Sequence, residues 1–144
     1  ALLEDPMEVV RLLAPYTFTV HLKDMALEEY EDGFLMSEVN LGEGFLDLEG
    51  MIAIIRAQQP KCRFNLEMIT RDPLKIPIWT QPYWETFGDI PRSELVQFTH
   101  FLKQNMAKTP LPRISDKSVD DQLALEIANN SISCTYAKQQ YGFS

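Results

Sequence analysis

The sequence predicts an α/β protein that is built from repeated strand and helix units. Three observations support this prediction. Two short segments alternate apolar and polar residues, as strands do, and an amphipathic helical segment separates them. Each of the two alternating segments ends in charged residues. Strands that are joined through a helix are expected to lie parallel and adjacent, with helices covering their apolar face.

The first predicted elements are a helix and a strand. Asp5-Pro6 supplies an N-cap and a proline in the first turn, and apolar residues at helical spacing extend from there to Leu13. Pro15 ends this helix. A strand with two different faces follows in the segment YTFTVHLKD. Its apolar face carries Phe18, Val20 and Leu22, and its polar face carries Thr19, His21 and Lys23.

The middle of the chain predicts a long loop, a helix and a second strand. Residues 25–44 are acidic and contain three glycines, which is typical of a loop. A helix from Leu48 to Gln59 follows and ends before Pro60. The second strand lies in KCRFNLEMITRDP, where alternation separates the residues into two sets: Cys62, Phe64 and Leu66, and Arg63, Asn65 and Glu67.

The C-terminal half predicts one more loop and two helices. Residues 73–91 are rich in proline and aromatic residues and predict an ordered aromatic loop. Ser93 and Glu94 begin an amphipathic helix that extends to about Met106. A proline-containing connection leads to a last helix from Val119 to Tyr141, which Gly142 can cap.

The composition favours a globular protein and argues against several classes of function. Hydrophobic residues make up 45% of the chain, and no apolar run reaches the roughly 18 to 20 residues that cross a bilayer. A net charge of -8 without clustered Lys and Arg makes nucleic acid a poor partner. Cys62 and Cys134 match no zinc-binding or CxxC pattern, and the N-terminus has no secretory signal. We therefore expect reduced thiols and a cytoplasmic location.

His21 and Glu67 are the residues that most suggest chemistry. Alternation places each of them on the polar face of its strand, near the end of that strand. On neighbouring parallel strands the two side chains would reach the same edge of the sheet, where an imidazole and a carboxylate suit a divalent cation. The structural alternative is a hydrogen-bonded histidine and a salt-bridged or capping acid. Spacing alone leaves both interpretations open.

The motifs VHLKD, NLGEGFLDLEGMI and FNLEMITRDP together resemble the C-terminal portion of the sugar phosphate isomerase/epimerase family. These are xylose isomerase-like TIM barrels of the superfamily that also contains AP endonucleases. The resemblance covers residues from about 5 to 141. It implies that residues 1–144 are a single, incomplete domain: the last two strands of a (β/α)8 TIM barrel with their helices and a C-terminal helical extension, without the N-terminal strands.

The resemblance also implies a divalent metal ion with His21 and Glu67 as two of its ligands. Glu67 would in addition be catalytic, moving a proton next to the substrate carbonyl through a metal-stabilised enediolate. The remaining ligands of that family, a glutamate and an aspartate, come from strands that this sequence does not contain. A site of histidine and carboxylates accepts Mn²⁺, Mg²⁺, Co²⁺ or Zn²⁺, so the metal is left open.

Four further residues are candidate contacts to a sugar or sugar phosphate substrate. Lys23 would bind an oxyanion, and Asp24 would bind a metal ligand or a sugar hydroxyl. Arg71 would hold a phosphate or a pair of hydroxyls, and Trp79, with Tyr83 and Trp84, would wall a sugar pocket. Each of these residues has a structural alternative. Lys23 would form a salt bridge, and Arg71 would pair with Asp72 or Glu85. Asp24 would be an ordinary acid in the loop after the strand, and the aromatic residues would form the core of their loop.

Three other functions compete with the isomerase. A multi-zinc DNA-repair endonuclease needs an Asp-x-His pattern after the first strand, and residues 28–44 contain no histidine. A related lyase, of the inosose or dehydroshikimate dehydratase type, begins from the same enolate, so the sequence does not separate it from an isomerase. A non-catalytic half barrel would instead be a binding module. Its open edges would pair with the missing barrel half or with a second copy of the chain.

Overall fold

The fold is mixed α/β in a computed structural model that describes residues 4–143. The elements are α1 (Pro6–Leu13), a 3₁₀ turn (Ala14–Tyr16), β1 (Thr19–Leu22), β2 (Asp24–Tyr30), β3 (Gly33–Val39), α2 (Leu48–Gln58), β4 (Arg63–Leu66), β5 (Leu74–Ile76), α3 (Gln81–Trp84), α4 (Arg92–Asn105) and α5 (Val119–Tyr141). The strands form one two-stranded and one three-stranded sheet, and within residues 4–143 they do not close into a barrel. None of the helices in this range is long and apolar enough to cross a membrane.

The two strands predicted to be parallel neighbours, β1 and β4, are paired in that way. Their register places Thr19 beside Arg63 and His21 beside Asn65, and these polar residues form an exposed face. The opposite face packs against α2 and α5. The core cluster there contains Leu22, Leu41, Leu48, Ile52, Ala137 and Tyr141, with Phe64 and Leu66 packed against it. The prediction of one apolar and one polar face is therefore confirmed for the paired residues, whereas Phe18, predicted on the apolar face, precedes β1 and is 70% exposed.

Helix boundaries follow the capping signals of the sequence. In α1, Asp5 Oδ1 accepts a hydrogen bond of 2.8 Å from the Glu8 N–H, so the predicted N-cap is present. The last helix, α5, has the predicted bounds and ends at Gly142, whose φ of 66° is left-handed. Helices α2 and α4 lie within about one residue of their predicted ends.

The segment predicted as a long loop, residues 25–44, is mainly a β-hairpin. Strands β2 and β3 pair antiparallel, and the two residues Glu31 and Asp32 connect them. Gly33 follows this turn with a φ of 156°, and a Cβ there would overlap backbone atoms of Ile76 and Ile78. The loop prediction was wrong because it weighed the acidic residues and glycines and overlooked the apolar residues that both strands bury.

The aromatic segment after Pro73 also contains regular structure, namely β5 and α3. Strand β5 pairs antiparallel with β3 and completes the three-stranded sheet. Two core clusters pack against this sheet. The first joins it to α4 and contains Leu27, Phe34, Ile78 and Leu102, and the second contains Ala26, Val39 and Leu111. The hairpin thus forms two strands of a packed sheet, and it begins beside the end of the β1–β4 pair because β2 starts two residues after β1.

Candidate functional site

A group of five charged or titratable side chains lies where β1 and β4 end, and we call it the strand-end cluster. It contains His21 and Lys23 at the end of β1, Glu38 of β3, and Glu67 and Arg71 after β4. The parallel ladder extends just past β4, because the Glu67 N–H donates a hydrogen bond of 3.0 Å to the Leu22 carbonyl. This bond fixes the backbone of Glu67 next to the end of β1.

His21 and Glu67 lie side by side on the two adjoining strands. The distance between His21 Nδ1 and Glu67 Oε2 is 2.7 Å. The His21 side chain is 66% exposed and that of Glu67 is 32% exposed, so the pair opens to solvent. The structure therefore brings together the two residues that the sequence marks as metal ligands.

The second carboxylate oxygen of Glu67 is held by Lys23. Lys23 Nζ donates a hydrogen bond of 2.8 Å to Glu67 Oε1. This bond is the main reason that the pKa of Glu67 lies below its usual value, and the contact with His21 lowers it further. The same bond raises the pKa of Lys23. Both groups are therefore charged at neutral pH, and the alternative of a salt bridge for Lys23 is what the structure shows.

Glu38 is the member of the cluster that the sequence analysis missed. Its side chain is 1% exposed. Glu38 Oε2 accepts a hydrogen bond of 2.8 Å from the Ile69 N–H, and Oε1 lies 3.4 Å from both Lys23 Nζ and Arg71 Nη2. A buried carboxylate requires such partners. The Asp32-Gly33 dipeptide between apolar runs is a hairpin signal that would have placed Glu38 on a strand.

Asp24 has a structural role, which corrects the expectation that it contacts a metal ligand or a substrate. It is 1% exposed. Its carboxylate accepts hydrogen bonds from the backbone N–H groups of Met25, Gly42, Gly44 and Leu46, at 2.9 to 3.4 Å. Asp24 thus fixes the Gly-Glu-Gly turn ahead of α2, and no part of it is free to reach a ligand.

Arg71 belongs to the strand-end cluster and does not form either of the pairs that its structural alternative named. Its partner is Glu38, whereas Asp72 accepts hydrogen bonds from Ile114 and Ser115. The Arg71 side chain is 45% exposed, so it is accessible from the solvent next to Glu38.

Trp79 lies in a different part of the molecule. It is 53% exposed and lines a cavity of about 930 Å³ between the segment after β5 and helix α4. Trp84, Phe87 and Phe98 also line this cavity. Among the described residues, the lining includes no member of the strand-end cluster, so the structure does not place Trp79 beside His21 and Glu67.

The His21–Glu67 pair offers an imidazole nitrogen and a carboxylate oxygen, which are donor atoms that divalent ions take. In this structure the two atoms are joined by a direct hydrogen bond of 2.7 Å, as the structural alternative for His21 expects. In residues 4–143, however, no three His, Cys, Asp or Glu side chains form a group that would hold a metal ion. The pair therefore supplies the right kinds of donor atom but not a full set.

In comparisons with known proteins, no family model, no curated protein and no solved structure matches this chain. The fold and the cluster define it as a mixed α/β protein with charged side chains grouped at the end of a parallel strand pair. The likeness to sugar phosphate isomerases consequently depends on the sequence motifs alone.

Proposed function

We propose that this chain supplies part of the active site of a divalent-metal-dependent isomerase or epimerase that acts on a sugar or sugar phosphate. The observation that supports this most directly is the 2.7 Å separation of His21 Nδ1 and Glu67 Oε2 at the ends of two parallel strands. Catalytic and ligand-binding residues of folds with parallel strands collect at the carboxyl ends of those strands.

In this proposal His21 and Glu67 hold the ion, and groups outside the pair complete its coordination. A bound divalent ion would polarise a substrate carbonyl and an adjacent hydroxyl group. Glu67 would take a proton from the neighbouring carbon and return it. Because Lys23 holds Glu67 in its charged form, Glu67 is a weak base, and its effectiveness depends on its fixed orientation.

Lys23 and Arg71 are the proposed substrate-binding groups of the cluster. Arg71 has five N–H donors, and among residues 4–143 its one hydrogen bond is the 3.4 Å contact with Glu38. The other donors suit a substrate phosphate or a pair of hydroxyls. Lys23 lies next to the reacting carboxylate and would stabilise a substrate oxyanion there.

We further propose that the β1–β4 pair is the end of a TIM barrel that other strands complete. The polar face of this pair is exposed, and within residues 4–143 each of its strands has one unpaired edge. Leu12, Tyr16 and Phe18 are exposed apolar residues near the start of β1. Open edges and clustered apolar side chains favour association with the missing barrel half or with a second copy of the chain.

Titration with Mn²⁺, followed by electron paramagnetic resonance of the free ion, tests the metal site. We expect the His21→Ala and Glu67→Ala variants to lose stoichiometric Mn²⁺ binding and to keep the circular dichroism spectrum of the parent protein. Glu29→Ala is the matched control, because Glu29 is an exposed acid on β2 outside the cluster. Full Mn²⁺ binding by either cluster variant would contradict the proposed site.

The mass of the Mn²⁺-binding species in the same sample tests the proposed barrel completion. We expect that species to be larger than 16.6 kDa, because this chain alone contributes two protein ligands. Tight Mn²⁺ binding by a 16.6 kDa monomer would contradict the need for a partner.

A further inference from the structure

We propose that Glu38 is a positioning residue of the strand-end cluster: its buried carboxylate holds the Lys23 ammonium, and Lys23 in turn holds Glu67 so that Oε2 lies beside His21. This inference rests on the proposed function, since it explains which oxygen of Glu67 is presented to the ion and the substrate. It adds a residue, on β3, that the resemblance to sugar phosphate isomerases does not name.

Glu38 has the properties of a fixed anchor. Its side chain is 1% exposed, and the Ile69 N–H donates a hydrogen bond of 2.8 Å to Oε2. The strand register holds its backbone opposite Met25. Because Ile69 lies two residues after Glu67, the bond to Glu38 also ties down the segment that carries Glu67 and Arg71.

Lys23 is shared between the two carboxylates of the cluster. Its Nζ lies 2.8 Å from Glu67 Oε1 and 3.4 Å from Glu38 Oε1. An ammonium group has three donors, so one Lys23 serves both acids. Since Lys23 binds Oε1 of Glu67, Oε2 is the oxygen that faces His21 and is hydrogen-bonded to its Nδ1 at 2.7 Å. The position of Lys23 therefore decides which oxygen of Glu67 meets His21.

Loss of the Glu38 charge should change the position of the Lys23 ammonium. Lys23 would then have Glu67 as its one carboxylate partner in the cluster, and it would compete with any cation that Glu67 binds. Residues that orient metal ligands in this indirect way typically change metal affinity by about 10- to 100-fold when they are replaced.

The first experiment measures the Mn²⁺ dissociation constant of Glu38→Gln by electron paramagnetic resonance, with Glu29→Gln as the control. We expect binding to weaken about 10-fold or more in Glu38→Gln and less than about twofold in Glu29→Gln. In a Lys23→Met background the effect of Glu38→Gln should fall to less than about twofold, because Glu38 acts through Lys23. An equal loss with and without Lys23 would overturn the inference.

The second experiment requires no metal and observes the Lys23 ammonium by ¹⁵N NMR. An ammonium held between two carboxylates exchanges its protons slowly, so its signal should be visible in the parent protein and in Glu29→Gln. We expect that signal to shift and its protons to exchange faster in Glu38→Gln, because Glu67 alone then holds the ammonium, while the backbone amide spectrum remains that of the folded protein. An unchanged Lys23 signal would refute the positioning role.

The two measurements separate the inference from the proposed function. A parent protein that binds no Mn²⁺ contradicts the metal site. If Glu38→Gln then still shifts the Lys23 ammonium signal, the positioning of Lys23 by Glu38 is supported on its own.

Discussion

Two buried carboxylates at the base of the β2–β3 hairpin have opposite kinds of partner. Asp24 begins β2 and pairs in register with Val39, which directly follows Glu38. Counted as whole residues, backbone included, Asp24 is 1% exposed and Glu38 is 4% exposed. Asp24 is surrounded by backbone N–H groups, whereas Glu38 has one backbone donor and the cationic side chains of Lys23 and Arg71.

This difference shows that burial alone does not identify a functional acid. Backbone donors stay in place while the fold is intact, so Asp24 can only fix the turn that it holds. Side-chain cations can be shared with other groups, and Lys23 is in fact shared between Glu38 and Glu67. The type of partner therefore distinguishes Asp24, which fixes a turn, from Glu38, which is paired with side chains of the strand-end cluster.

The largest effect should come from Asp24→Ala. This change leaves several backbone N–H groups without an acceptor, and each unsatisfied buried donor costs about 1 to 3 kcal/mol. We expect the free energy of unfolding, measured with urea, to fall by about 3 kcal/mol or more. Glu29→Ala should stay within about 0.5 kcal/mol of the parent protein. A loss of less than about 1 kcal/mol in Asp24→Ala would break the comparison.

A smaller loss should follow from Gly44→Ala, which disturbs the same turn from the other side. A Cβ at Gly44 would overlap the Asp24 carboxylate and the Met25 carbonyl. Such overpacking typically costs about 1 to 3 kcal/mol. Gly88→Ala is the matched control, because a Cβ there meets nothing within 4 Å. Equal unfolding free energies for the two variants would show that the Asp24 turn can relax.

The parts of the fold that the sequence predicted correctly depend on local signals. Helix α1 follows from Asp5 and Pro6, and α5 ends at Gly142 as its capping pattern predicts. The parallel pairing of β1 and β4 follows from two alternating segments joined by a helix. Four members of the strand-end cluster, His21, Lys23, Glu67 and Arg71, were identified because each lies at or just after the end of a strand of that pair.

The hairpin and Glu38 depend on contacts between distant parts of the chain. Glu38 meets Lys23 across 15 positions of sequence and Arg71 across 33, so no local pattern shows that this acid is buried and paired. Asp24 was misread for the same reason, since three of its donors lie 18 to 22 residues away. Both errors arise from tertiary packing around one hairpin, which buries Asp24 at the end of the first predicted strand and Glu38 within the predicted loop.

The smallest effect should come from another acid of the hairpin, Glu28 of β2, which is only partly buried. It forms a two-pronged ion pair with Arg113, at 2.6 and 2.8 Å, and accepts a hydrogen bond from the Leu111 N–H. Its side chain is 24% exposed and that of Arg113 is 41% exposed, so solvent screens the pair. The hydrogen bond from Arg113 is the main reason that the pKa of Glu28 lies below its ordinary value of 4.5.

Because the folded-state pKa of Glu28 is lowered, the pair stabilises the fold fully above pH 4.5 and stops doing so as the pH falls through that lowered value. We expect Glu28→Gln to reduce the free energy of unfolding by about 0.5 to 1 kcal/mol at neutral pH, and the difference to vanish in more acidic solution. Urea unfolding of both proteins at a series of pH values measures the difference at neutral pH and its loss in acidic solution. If Glu28→Gln lost as much unfolding free energy as Asp24→Ala, a solvent-screened ion pair would stabilise an acid as strongly as buried backbone donors do. The distinction between side-chain and backbone partners would then fail.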